Sequence, residues 1–484
     1  MSARLKDKYE TVIGLEIHAQ LKTKSKIFCK CSTEFGCPPN ENVCPVCMGL
    51  PGVLPVTNKQ VINFGILTGL ALNCEIAKVS KFDRKQYFYP DLPKNYQVSQ
   101  YDMPVASNGW INISGKKIRI NRVHLEEDAG KLVHAGSEGL YGSAYSYVDY
   151  NRTGVPLAEI VTEADIRSPL EARTFMVELR NILRYLDVCD GNLEEGSLRC
   201  DGNISIRPYG QEEFGTKAEV KNMNSFKALQ LALEYEEQRL MVATESGQKI
   251  IQETRLWDAN TGTTSSMRSK EFAHDYRYFP EPDLPPIVID GEWVNKLMQT
   301  MPELPEQKRT RYQEELGLSD YDASVLVESK ELSRFLDKLI EIGSDAKAGA
   351  NWLMGDITYY LKDNKLTLDQ TSITPENLAE MITMIDNNTI SNNIGKKVIV
   401  ELMEKGGTAT QIINDMGLSL ISDESKLVSI IHEVLKNSPK QVEQYKSGKT
   451  TIIGYFVGQV MKATKGRAEP KMVNTLIQKE LDTL

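Results

Sequence analysis

Acid, base and amide side chains recur at two-residue spacing in the stretch LEEGSLRCDGNISIRPYGQEEFGTKAEVKNMNSF over 193–226. Arg199, Asp201 and Asn203 alternate with Leu198, Cys200, Gly202 and Ile204, and Lys217, Glu219 and Lys221 alternate with Ala218 and Val220. Successive strand side chains point to opposite faces, so the pattern predicts two strands, each with an apolar and a polar face. Asn222-Met223-Asn224-Ser225 then leads into a predicted helix ending at about Ser246, with Gly247 as its stop. A solvated outer face of a half-buried sheet would also read this way. The mixture of carboxylates, cations and amides beside a helix start favours a phosphate and metal site.

Other strands offer matching groups. Over 11–21, Ile13, Leu15, Ile17, Ala19 and Leu21 line one predicted face, and Glu16 and His18 stand two apart on the other. The stretch 117–131 predicts a strand ending in Glu126, Glu127 and Asp128. Three consecutive acids repel one another unless a cation lies near, although a solvated turn also accommodates them. Glu159 shares a face with Leu157 and Val161, which directs a costly carboxylate inward. Glu16, His18, Glu126, Glu127, Glu159 and Glu219 together offer hard ligands from several strands.

A second chemistry lies in the cysteines. Cys29-Lys30-Cys31 and Cys44-Pro45-Val46-Cys47, twelve residues apart, match a tetrahedral four-thiolate zinc site that would pin the loop between them. Cys37 is a spare thiol, and five of the eight cysteines fall in this one cluster, unlike a disulfide framework. Four tyrosines, three lysines and an arginine crowd KFDRKQYFYPDLPKNYQVSQYD, read as a rigid, proline-bounded loop suited to a nucleotide or nucleic-acid end. Tyr276, Arg277 and Tyr278 repeat that theme.

The elements positioning these groups are mixed. A chain of 484 residues exceeds one core, and a net charge of −9 argues against broad nucleic-acid binding. A helix is predicted over 58–72. Another opens at Ser168-Pro169-Leu170-Glu171 as a capping box, with Phe175, Met176, Leu179, Ile182, Leu183 and Leu186 as its core stripe. Beyond 292 the spacing becomes helical, and a further shift falls at Gly406-Gly407, giving domains 1–292, 293–406 and 407–484. Seven Lys or Arg against two Glu over 440–471 make the tail locally basic, as an RNA-backbone contact requires. The GKT triplet at 448–450 is no phosphate loop, because Glu443 stands where that loop needs glycine. No apolar run spans a membrane and no leader pattern opens the chain, so the expected location is cytoplasmic.

VIGLEIHAQL, FDRKQYFYPDLPKNYQ, HLEEDAGK, YNRTGVPLAEIV, EEGSLRCDGNIS, KAEVKNMNSF and DYRYFPEPDLPP resemble, block after block, the B-subunit family of the tRNA-dependent amidotransferase GatCAB. The resemblance implies an α+β chain: a cradle-like, mixed-sheet catalytic domain, an all-α domain and a small helical tail. It implies that misacylated Glu-tRNA(Gln) or Asp-tRNA(Asn) is bound, its side-chain carboxylate phosphorylated with ATP and Mg²⁺, then amidated with ammonia. The ammonia would come through a tunnel from a glutaminase subunit, GatA, with the small GatC bracing the pair. On this reading Glu16, His18, Glu126, Glu127, Glu159 and Glu219 form the Mg²⁺ shell, with Lys217 beside them as a catalytic residue. Lys85, Arg199, Lys221, Asp201, Asn203 and Asn224 meet phosphate or orient substrate. Cys29, Cys31, Cys44 and Cys47 hold structural zinc, and Lys462, Lys465, Arg467 and Lys471 contact tRNA. The alternatives are a non-catalytic, zinc-stabilised tRNA-binding adaptor and a ligase using free ammonia.

Overall fold

The alternation over 11–21 becomes β1 (Tyr9–Gln20), whose apolar side chains Ile13, Leu15, Ile17 and Ala19 are all buried. The structure, a computed structural model, describes residues 5–134, 145–267, 275–418, 424–464, 467–468 and 470–483. Two compact units divide the chain, Met1–Pro305 and Glu306–Leu484.

In the first unit α1 (Lys59–Ala71) follows β1, its N-cap Asn58 accepting from the Gln60 N–H. Strands β2 (Glu75–Ile76), β3 (Val79–Ser80), β4 (Asp83–Gln86), β5 (Tyr96–Ser99), β6 (Ala106–Ile113) and β7 (Lys116–Glu127) come next. After them run β8 (Lys131–His134), β9 (Ser146–Asp149) and β10 (Pro156–Thr162). Helix α2 (Pro169–Tyr185) is capped by Ser168. The expected capping box is half made: the Glu171 carboxylate accepts from the Arg167 N–H at 2.6 Å instead of from the cap residue. Then come β11 (Leu198–Pro208), β12 (Ala218–Lys221), α3 (Phe226–Glu245), β13 (Glu253–Asp258) and β14 (Thr263–Ser266). The unit closes with β15 (Phe279–Pro280), β16 (Ile287–Val288) and α4 (Gly291–Met298).

Nine strands form one mixed sheet in the order β14-β13-β12-β11-β1-β10-β7-β6-β2, with β12 and β13 its parallel pair. Helices α1, α2 and α3 cover one face, where Phe175, Met176, Leu179 and Leu183 meet the apolar side of β1. The opposite face carries the polar side chains.

Two local readings differ from the structure. The tyrosine-rich segment is not a loop: β4 pairs with β5, and β15 adds a third strand through Phe279↔Arg84. That third partner comes from far along the chain, where local pattern cannot see it. Helix α4, expected beyond a boundary at 292, packs on α1, with Trp293 Nε1 donating to Asn63 Oδ1 at 2.9 Å.

The described residues of the second unit are helical, as the three- and four-residue spacing predicts. Helices Lys330–Glu341, Pro375–Asp386 and Asn392–Lys405 supply its hydrophobic ridges. The segment NWLMGDITYYL differs by containing a π turn, Leu353–Ile357, between two α-helical pieces. Helices Glu424–Lys436, Ile453–Ala463 and Pro470–Thr483 enclose a small core of their own, including Leu427, Ile431, Phe456, Val460, Val473 and Ile477.

Candidate active site

Register places the polar groups together. Arg199, His18, Glu159 and His124 lie in one row across β11, β1, β10 and β7, each directly opposite the next. Asp201, Glu16, Val161 and Arg122 form the next row. Glu219, Asn203 and Gly14 form a further partial row across β12, β11 and β1. Directly paired residues share a face, so five strands contribute to one polar stripe.

At its centre His18, Glu126 and Glu159 bring one ligand atom each within 4.8 Å of one another. His18 Nε2 is 3.6 Å from Glu126 Oε1 and 3.5 Å from Glu159 Oε2. His124 Nε2 closes the group from beneath, 3.0 Å from Glu159 Oε2 and 3.6 Å from Glu126 Oε2. Ser99 Oγ donates to Glu126 at 3.1 Å. Burial would push the Glu159 carboxyl up, but the charge and hydrogen bond of His124, with help from His18, hold it far below the ordinary range. Glu126 is also lowered: burial opposes this, the His124 hydrogen bond drives it, and repulsion from Glu159 weakens it.

Burial would likewise lower both imidazoles, yet the two carboxylates raise them, His124 to about 9. Arg122 Nε lies 3.2 Å from His124 Nδ1 and donates to it, which requires a lone pair there. A doubly protonated ring would set two N–H groups against each other. The Arg122 contact at Nδ1 therefore works against the pull of the two carboxylates, while the Nε2 proton faces Glu159 with either ring charge.

Around the cluster lie paired ions. Lys221 Nζ bridges Asp201 Oδ2 at 2.5 Å and Glu219 Oε1 at 2.9 Å, and Thr254 Oγ1 donates to Glu219 at 2.6 Å. Burial opposes the charge on Lys221, but Asp201 and Glu219 raise its pKa above the usual lysine value. Asn203 Nδ2 donates to Glu16 Oε1 at 3.0 Å. Arg199 and Gln20 both hold Asp128 at 2.9 Å, and Arg152 approaches it at 3.5 Å. Lys217, exposed, lines a cleft of about 400 Å³ with Glu16 and Asn203.

Three expected members stand apart. Glu127 turns to the opposite face, where Lys94 Nζ pairs with it at 2.5 Å and the Val98 N–H donates to it at 2.9 Å. Consecutive strand residues cannot share a face, so Glu126 and Glu127 part company; Asp128, just past the strand end, returns to the stripe. Lys85 lies over the Tyr276 and Tyr87 rings, at 4.9 and 5.8 Å, with no carboxylate partner among the described residues. Asn224 is exposed before the helix cap Ser225 and makes no hydrogen bond among the described residues.

His124 and Arg122 join the site without having been marked for it by the sequence pattern, and Asp128, expected only as one of three consecutive acids, serves there as the anchor of two arginines. A signal exists for His124: it precedes Glu126 by two on a strand, and so shares its face. Tyr278, stacked on Tyr101 at 4.3 Å, lies close enough to the acids that burial first, then the Glu126 and Glu159 charges, raise its phenol pKa.

Away from this stripe, Cys29, Cys31, Cys44 and Cys47 place their Sγ atoms within 4.8 Å of one another. Thiolates around tetrahedral zinc stand roughly 3.8 Å apart, so the quartet fits that ion with little adjustment. Buried Lys26 offers Nζ to Cys47 Sγ at 3.7 Å, offsetting thiolate charge. Cys37 lies outside the quartet, its carbonyl accepting from Asn151 Nδ2 at 3.4 Å. In the tail, Lys462 and Lys471 are exposed, Arg467 donates to the Gly417 carbonyl at 3.2 Å, and Lys465 lies outside the described residues. No described helix is long and apolar enough to cross a membrane.

Comparison with known proteins adds a second line of evidence. Residues 11–295 match the family described as the GatB/GatE catalytic domain, and 334–481 match the GatB domain. The chain is 55% identical to the B subunit of an aspartyl/glutamyl-tRNA(Asn/Gln) amidotransferase from Trichodesmium erythraeum, over 99% of both chains. It is also 55% identical to a like-named protein from a Synechococcus strain, over 100% of this chain and 99% of the relative. The like-named Thermodesulfovibrio yellowstonii protein is 54% identical over 98% of this chain and 99% of its own.

Proposed function

This chain belongs to the family of aspartyl/glutamyl-tRNA(Asn/Gln) amidotransferase B subunits, and from that premise we propose how its polar sheet face performs the reaction. It works within an ATP-dependent, glutamine-hydrolysing complex alongside GatA and GatC, and it amidates misacylated Glu-tRNA(Gln) or Asp-tRNA(Asn). The family assignment supports this enzyme and not a non-catalytic tRNA adaptor.

The chemistry starts from a carboxylate, a poor electrophile. One of its oxygens bonds to the γ-phosphorus of ATP as the bond to the ADP oxygen breaks, giving an acyl phosphate. Ammonia then attacks the acyl carbon, phosphate leaves, and the nitrogen loses one proton. Glu126 and Glu159 supply the buried oxygens that would hold Mg²⁺, a cation that prefers oxygen ligands. When bound there, the ion would supply charge neutralisation for the phosphoryl oxygens. Lys221 and Arg199 place fixed cations along the same rim. His18, half-buried with 24% of its side chain accessible against 5% for His124, is the imidazole of the cluster that can reach the proton released at nitrogen. His124, buried behind the acids, positions Glu159.

The observation that carries this reading is two buried carboxylates gathered with two imidazoles at the centre of a stripe otherwise rich in paired cations. Replacing Glu126 or Glu159 by Gln should lower ATP-dependent amidation by about a thousandfold. Binding of the charged tRNA and glutaminase activity of the complex should persist; unchanged amidation would refute the assignment.

The thiol quartet is read as a structural zinc site, since all four positions are protein thiols and none is open. Residues 407–484 are read as the tRNA-contacting tail, supported by exposed Lys462 and Lys471 on a locally basic segment of an acidic chain. The chain acts in the cytoplasm, where charged tRNA is made and used.

A further inference from the structure

We propose that Thr254 is a positioning residue for the amidation: its hydroxyl fixes the Glu219 carboxylate and, through it, the Lys221 ammonium on the polar rim. This deepens the reading above and rests on it.

The segment QETRLWD over 252–258 contributes β13, and its register sets the contact. Strand β13 runs parallel to β12, with Thr254 directly opposite Glu219 and Arg255 opposite Val220. Paired residues share a face, so Thr254 joins Glu219 on the polar side while Arg255 turns toward α3. Thr254 Oγ1 donates to Glu219 Oε2 at 2.6 Å, and Lys221 Nζ meets Oε1 at 2.9 Å. Both carboxylate oxygens are thus held, but the two donors differ. The lysine is a flexible point charge that also leans on Asp201 at 2.5 Å, so it leaves the direction of Glu219 open. Threonine is stiff at χ1 because two heavy atoms branch at its Cβ. Thr254 is therefore the donor that carries a direction.

What fixes Thr254 lies on the other face. Glu236 of α3 is fully buried and pairs with Arg255 at 2.9 Å and Arg239 at 2.7 Å, with Thr264 of β14 a third donor. Arg255 also pairs with Glu253 at 2.7 Å and donates to the Thr264 carbonyl at 2.9 Å. Buried ions are a poor source of stability, because apolar residues of like volume serve as well; what they supply here is one register. The β12–β13 pairing spans four residues and carries Glu219 and Lys221, so apolar alternation specifies it weakly. A slip of one residue would bring Glu253 or Arg255 opposite Glu219. The first would set carboxylate against carboxylate, and the second would compete with Lys221.

The test uses the complete three-subunit complex, with ammonium chloride as nitrogen source so that glutamine hydrolysis does not limit the rate. Thr254→Val removes the hydroxyl at nearly constant shape, and Thr254→Ser keeps it. We expect Thr254→Val to lower kcat by about tenfold, with the KM for charged tRNA within about twofold of wild type. The thermal midpoint should stay at the wild-type value, and Thr254→Ser should recover kcat to within about twofold. In a Glu219→Ala background, Thr254→Val should cause no further loss of the residual rate, because its effect passes through that carboxylate. The proposal is overturned if a folded Thr254→Val complex keeps kcat within about twofold of wild type, or if its full loss recurs on top of Glu219→Ala. Equal losses in the Val and Ser variants would overturn it as well. Should Thr254→Val not fold, Thr254→Ala against Thr254→Ser decides the question on the same readouts. Failure of the reading above would show separately, as amidation surviving Glu159→Gln.

Discussion

His124 and Glu159 stand directly opposite each other on adjacent antiparallel strands, with Nε2 3.0 Å from Oε2. His124 is buried and accepts from Arg122 at Nδ1, so its remaining proton is aimed at the carboxylate. A buried imidazole held from both sides fixes the direction of the acid that would face the metal. His124→Gln retains a donor but shortens the reach. Magnesium affinity or kcat should fall by about 10- to 100-fold, as for other groups that orient a metal ligand. Titration of activity against Mg²⁺ checks this, and an unaltered titration would remove His124 from the positioning role.

Lys221 separates two acids that would otherwise repel each other. Its removal in Lys221→Met leaves Asp201 and Glu219 without their shared cation and takes a charge from the phosphate rim. Amidation should drop, and a double-mutant cycle with Asp201→Asn should give a coupling of about 1–2 kcal/mol in stability, discounted because Lys221 is one-third exposed. Additive effects would show that the pair is not coupled.

For the thiol quartet, elemental analysis should find about one zinc per chain. Cys44→Ser should release it and lower the unfolding temperature of the first unit. Cys37→Ser should retain the metal, because Cys37 lies outside the quartet.

Stability at low pH should depend on Asp337. Burial would raise its carboxyl, but hydrogen bonds from Lys308 at 2.6 Å and Arg311 at 2.9 Å, with Tyr312 also donating at 2.9 Å, hold it below its ordinary 3.8. A depressed acid contributes stability above its unfolded value and loses it as pH falls through the folded one. Asp337→Asn should therefore destabilise the second unit by about 2 kcal/mol at neutral pH. The gap between variant and wild type should narrow below a pH of about 4. Calorimetry of the full chain across pH follows both; a gap independent of pH would contradict the assignment.

In the tail, Lys462→Ala with Lys471→Ala should weaken tRNA binding and reduce the slope of log affinity against log salt by about 1–2. Equal slopes for variant and wild type would take these lysines out of the phosphate contact.

Much of this is legible in the chain because it rests on local periodicity. The two-residue alternation of β1 and β11 identifies which side chains share a face, and Asn58, Ser168 and Ser225 mark helix starts that the structure places one residue later. Close cysteine pairs announce their cluster because zinc ligands repeat at short spacing. The tyrosine-rich hairpin reads as a loop because its third strand, β15, lies nearly two hundred residues on. Among the acids, alternation within β7 carries the information that Glu126 and Glu127 diverge, whereas composition alone groups them.

The sequence by itself determined the alternating faces, the helix caps, the thiol pairs and the kinship with a family. Tertiary structure decided which acids meet. His18, Glu126 and Glu159 come from three strands whose neighbours are chosen by register, and register depends on burying β1 beneath α2 and α3. A slip of one residue would have turned the carboxylates into the core, so packing the apolar face is what assembled the polar one.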